Sequence, residues 1–84
     1  MTSIYDYSET DYFISNTTNI ITIMTSENIN DFTYEIFNLL GTKLSEGHSN
    51  EKYLEINAKN FPKGLYCIKL KYLTKTVFHK IIIY

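Results

Sequence analysis

This sequence of 84 residues contains no arginine and no tryptophan, and it has only one cysteine, one proline and three glycines. Each scarcity excludes something. A solitary Cys67 cannot form an intrachain disulfide, and it reads as a small buried or half-buried filler rather than a nucleophile or ligand. A net charge of -1 without arginine gives no electrostatic basis for binding nucleic acid or an anionic membrane surface. With so few breakers, no linker or low-complexity tract marks off a second domain. No apolar run approaches the ~20 residues of a spanning helix. The longest, Ile81-Ile82-Ile83-Tyr84, has the length of a strand. The first residues lack a basic stretch followed by an apolar one, so no signal peptide is read in them.

What remains is aromatic and β-branched. The chain carries eight tyrosines and five phenylalanines, and its isoleucines fall at alternating positions. A domain of this length buries only ~60–65% of the surface its unfolded chain exposes, so the core is thin. Charge is unevenly spread: Asp6, Glu9, Asp11, Glu27, Asp31 and Glu35 all precede the first lysine, Lys43. This pattern fits a solvated acidic N-terminal stretch beside a sheet with a lysine-bearing face.

The run Asn60-Phe61-Pro62-Lys63-Gly64-Leu65-Tyr66 organises the second half. Pro62 fixes φ and donates no backbone hydrogen bond, and Gly64 can take positive φ to turn the chain back. Period-two alternation follows: Tyr66, Ile68, Leu70 and Tyr72 on one face, Lys69 and Lys71 on the other, with Cys67 opposite the apolar face. Strands are also expected at Ile20 to Thr25, Phe32 to Leu40, Lys52 to Ile56 and Thr76 to Tyr84. Gly41 supplies the special backbone of a hairpin leading into Lys43-Leu44-Ser45. Gly47 to Asn50 reads as a loop, and Ala58 to Phe61 as one helical turn.

In the last strand Lys80 resists burial, which turns Val77, His79, Ile81 and Ile83 inward. Phe78, Ile82 and Tyr84 then flank Lys80 on an unusually apolar outer face, covered by another strand or by Tyr5 to Phe13, or else turned to a partner. Short strands with turn signals every ~8–12 residues spell an all-β sandwich with Greek-key connections over residues 14–84. Residues 1–13 read as a linker or edge segment.

Chemistry is sparse. His48 and His79 have no Cys, Asp or Glu at metal-ligand spacing, and there is no glycine-rich phosphate loop. Cys67 and His79 on neighbouring strands form the one conceivable dyad, without an activating third group. No enzyme and no cofactor is read.

Tyr34-Glu35-Ile36-Phe37-Asn38-Leu39-Leu40-Gly41-Thr42-Lys43-Leu44, then Leu54-Glu55-Ile56, then Phe61-Pro62-Lys63-Gly64-Leu65-Tyr66, then Lys80-Ile81-Ile82 resemble the C-terminal sorting domain of type IX secretion cargo in Bacteroidota. The resemblance places Gly41 on the family's hairpin glycine, Gly64 and Tyr66 on its Gly-x-Tyr, and Lys80 on its terminal lysine. It implies an immunoglobulin-like sandwich that routes an N-terminal passenger from the periplasm through the outer-membrane translocon, and it implies a sortase-like peptidase that detaches the domain and joins cargo to lipopolysaccharide. The family's opening Tyr-Pro-Asn-Pro-Thr reads here as Ile14-Ser15-Asn16-Thr17-Thr18, without either proline. The passenger and export signal of a cargo protein are not in these residues, so the chain reads as a fragment or a stand-alone copy. The alternative reading is a small β-sandwich protein–protein interaction module without a sorting role, cytoplasmic if it stands alone. A passenger upstream would select the first.

Overall fold

Alternation of β-branched and aromatic residues against polar ones commits this chain to strands, and a computed structural model describes residues 11–17 and 19–84. Strands β1 (Tyr12–Asn16), β2 (Ile20–Thr25), β3 (Phe32–Asn38), β4 (Lys43–Ser49), β5 (Tyr53–Asn57), β6 (Gly64–Tyr72) and β7 (Lys75–Ile83) form two antiparallel sheets. One sheet has the order β1-β2-β5, the other β4-β3-β6-β7. The chain crosses repeatedly between them, as in an immunoglobulin-like Greek-key sandwich. Here β4 pairs with β3 rather than joining the sheet of β1, β2 and β5.

The core is the space between the inner faces. Ile14, Ile21, Ile23 and Ile56 come from the first sheet; Phe32, Ile36, Tyr66, Ile68, Leu70, Tyr72, Ile81 and Ile83 come from the second. Ile29 and Ala58 join the core from connecting segments, and Phe61 packs against the core. The inward assignments of β6 and β7 hold: Ile68 and Leu70 are fully buried, Ile81 and Ile83 nearly so, and Val77 and His79 half-buried. Each fully buried isoleucine or leucine contributes about 1.5–3 kcal/mol of transfer free energy.

Four expectations change. Strand β1 opens at Tyr12, just before the expected domain start at Ile14, and lies at a sheet edge. Phe32 to Leu40 is a strand only to Asn38, because Leu39 and Leu40 belong to the turn. Gly47 to Ser49 is not loop but the end of β4. There the Tyr34 ring lies over Gly47, so closely that a Cβ would stand 2.7 Å from its hydroxyl oxygen. An aromatic ring covering a cross-strand glycine in this way supports pairing that glycine alone would weaken. Finally, Ala58 to Phe61 is a β-turn rather than a helical turn, closed by the Phe61 N–H donating to the Ala58 carbonyl at 3.0 Å. Pro62 follows at once and has no N–H with which to extend it.

The N-terminal edge is fastened to the second sheet. Asn16 Nδ2 donates to the Ile82 carbonyl at 2.8 Å, and Tyr12 meets Tyr72 and His79 edge-on. Asp11 accepts from Tyr72 Oη at 3.2 Å and from Lys75 Nζ at 3.3 Å. Burial, followed by the Asp11 carboxylate, pushes the Tyr72 phenol above its ordinary range.

Candidate functional site

The residues singled out from sequence sit at one end of the sandwich and on the outer face of β7. At the β3–β4 turn the Gly41 N–H donates to the Asn38 carbonyl at 3.0 Å, and the Asn38 N–H donates to the Thr42 carbonyl at 3.0 Å. The Asn38 side-chain oxygen accepts from the Leu40 N–H at 2.9 Å and the Thr42 N–H at 3.0 Å. Asparagine opening a turn and glycine at positive φ closing it are a familiar pairing, and Gly41 has φ +85°. The device leaves little freedom at the tip, yet Leu39 and Leu40 are 74% and 90% exposed there.

At the start of β6, Gly64 has φ +148°, as the turn requires. Tyr66 is buried, its ring stacks on Phe61 at 5.6 Å, and its hydroxyl donates to the Pro62 carbonyl. A tyrosine near the start of the sixth strand that bonds backbone just upstream is the tyrosine corner of immunoglobulin-like sandwiches. Gly64 and Tyr66 thus build the turn, and it comes to lie beside the β3–β4 tip. Asn38, Leu39, Leu40, Leu44 and the Pro62 to Tyr66 segment line an open groove of about 280 Å³.

Lys80 points outward from β7, opposite Cys67 on β6. It lines a second groove, of about 360 Å³, with Ile82, Tyr84 and Leu65. Leu65 borders both grooves and joins them. Phe78, Ile82 and Tyr84 are exposed, and no described strand lies over them. Phe13 is on the other sheet and itself exposed, so it does not provide the expected cover. Tyr5 and its neighbours lie outside the described residues.

Elsewhere the outer face of this sheet carries an ion cluster. Lys43 Nζ bonds Glu46 at 2.9 Å and Glu35 at 3.2 Å, and Lys69 Nζ stands 3.6 Å from Glu35. The Lys43 ammonium holds the Glu35 carboxyl below the ordinary glutamate range, with Lys69 adding to it. Glu46 and Glu35 in turn push the Lys43 ammonium upward.

The conceivable Cys67–His79 dyad does not form. His79 pairs with Ile68 and faces inward against Tyr12, while Cys67 faces outward beside Lys80. The sequence reading missed Leu39, Leu40 and Leu65 as surface residues. The available signal was Asn38 followed by Gly41, which marks a turn and takes both leucines out of the strand.

A family model described as the secretion system C-terminal sorting domain matches residues 16–84. Among solved structures, a DUF3244 family protein with an immunoglobulin-like β-sandwich fold from Bacteroides vulgatus is similar to this chain, with a TM-score of 0.79. Its sequence is 15% identical, and the match covers 89% of this chain and 86% of that one. No curated protein matches the sequence significantly.

Proposed function

The chain belongs to the family of secretion-system C-terminal sorting domains, and from that premise we propose how it carries out the sorting. As a member of that family it is a C-terminal sorting signal for type IX secretion. Such a signal implies a passenger on its N-terminal side, an interaction with the secretion machinery, and transit through the periplasm to the cell surface or beyond. Neither the sorting family nor the immunoglobulin-like fold is an enzymatic one.

In our reading the domain is non-catalytic and acts as a folded surface read by the outer-membrane translocon. A sortase-like activity of the machinery then separates it from its passenger. Gly41, Gly64 and Tyr66 serve recognition indirectly, by setting the two turns. Lys80 serves it directly, as the cation in the outward strip of β7. The observation that supports this division is the strip itself: Phe78, Ile82 and Tyr84 are 63%, 46% and 78% exposed beside Lys80, with no described strand over them. Large apolar side chains exposed together on one face of a strand are the pattern of a contact surface.

The test is to fuse the whole chain behind an exported reporter in a type IX-competent bacterium. Surface appearance of the reporter is expected with the chain attached and not without it. A reporter retained in the periplasm despite a folded domain would return the chain to the interaction-module reading.

A further inference from the structure

We propose that the β3–β4 tip and the β7 strip form one docking surface for an extended protein segment of the secretion machinery that carries apolar side chains and carboxylates. The proposal rests on the sorting reading above and adds to it the tip, the bridging residue and the chemistry of the partner. The two grooves share Leu65, which links the apolar tip of Leu39 and Leu40 to a second groove where Ile82 and Tyr84 stand among Asn16, His79 and Lys80. Lys63 lines the first groove and Lys80 the second. Neither groove has an acidic lining residue.

The charges of the rest of this sheet make that absence informative. Lys43 and Lys69 are held by Glu35 and Glu46, Lys75 by Asp11, and the groove beside Lys71 contains Glu35 and Glu46. Among the described residues, Lys63 and Lys80 have no acid within ion-pair distance. Both cations therefore border the grooves with no acid of the described residues beside them. A segment with carboxylates near its apolar side chains would answer both, gaining orientation from the ion pairs and affinity from the leucines. The tip suits this purpose because its backbone is fixed by the Asn38 side chain, so little ordering remains to be done on contact.

Two experiments test the proposal. In the reporter fusion, Leu39→Ser with Leu40→Ser, and Lys63→Glu with Lys80→Glu, are expected to cut surface export about tenfold, the effect of losing a central contact. Phe13→Ser, which removes an exposed apolar residue from the other sheet, is expected to leave export unchanged. Thermal melting of each variant confirms that the domain is folded. If the unaltered fusion is not exported, the sorting reading fails; if it is exported and both double variants export equally well, only the docking surface fails. In solution, the isotope-labelled full chain is titrated with a synthetic peptide alternating leucine and glutamate, and with its leucine–lysine counterpart. Amide shifts confined to the two turns and the end of β7, about tenfold weaker with the lysine peptide, are expected. Equal response to both peptides overturns the proposal. So does tighter binding to phosphatidylglycerol vesicles, or self-association lost in the leucine double variant, which would assign the face to lipid or to a second copy.

Discussion

Tyr66 holds two things at once: its ring fills the core against Phe61, and its hydroxyl ties down the Pro62 carbonyl. Truncation should separate the two. Tyr66→Ala is expected to cost about 3–5 kcal/mol through the cavity it leaves, and Tyr66→Phe only about 1 kcal/mol for the lost hydrogen bond. Denaturant midpoints measure both, and equal losses would mean that the ring contributes little. Gly64 poses a different problem. A Cβ there would meet nothing within 4 Å, so the cost of Gly64→Val is backbone strain alone at φ +148°. We expect a loss of about 1–3 kcal/mol, and an unchanged midpoint would show that the turn relaxes. Both residues were legible in sequence because their rules are local: proline and glycine one residue apart make a turn, and a tyrosine two residues past the glycine falls on the inner face. Lys80 was legible for the opposite reason, since a lysine sets the register of an otherwise apolar strand by refusing burial.

Elements were legible in proportion to how much of their own core they carry. Strand β6 has alternating buried residues from Tyr66 to Tyr72, and its period declares it. Strand β1 has one buried residue, Ile14, and exists because β2 offers it a partner; nothing within Tyr12 to Asn16 announces it. The end of β4 was hidden by Gly47 and Ser49, which look like loop residues until Tyr34 is seen lying across the glycine. The outer faces of β3, β4 and β6 carry the ion cluster of Glu35, Lys43, Glu46 and Lys69, which makes a pH prediction possible. The folded carboxyl of Glu35 lies below its ordinary range, so folding favours its ionised form. The cluster's contribution is therefore fully present above the ordinary range of glutamate. It is lost as pH falls from there through the lowered folded value, where the folded state must take up the proton too. Acid unfolding of Glu35→Gln should lack this component, while the contribution at neutral pH remains small for groups this near solvent. Identical pH profiles for the two proteins would remove the cluster from the account of stability.

At the scale of the molecule, what sequence could not show is the convergence of distant turns. The Asn38 to Gly41 tip and the Pro62 to Gly64 turn lie on separate loops, and only the pairing of β3 with β6 brings them to one end of the sandwich. The outer face of the larger sheet carries the Glu35–Lys43–Glu46–Lys69 ion cluster in one part and exposed apolar side chains around Lys80 in another. Stability and sorting should therefore come apart on β7. Deleting the final residues would not show this, because Ile83 is buried in the core and pairs with Gly64. Outward substitutions do. Lys80→Ala removes an exposed charge and should change stability by less than about 0.5 kcal/mol. Phe78→Ser and Ile82→Ser leave Val77, Ile81 and Ile83 in place, and they should raise solubility by interrupting an apolar edge strand. If the strip is the face that the machinery reads, all three variants fold, melt close to the parent and fail in export of a fused reporter. Full export by all three, with folding intact, would reduce β7 to a structural strand and move recognition to another part of the sandwich.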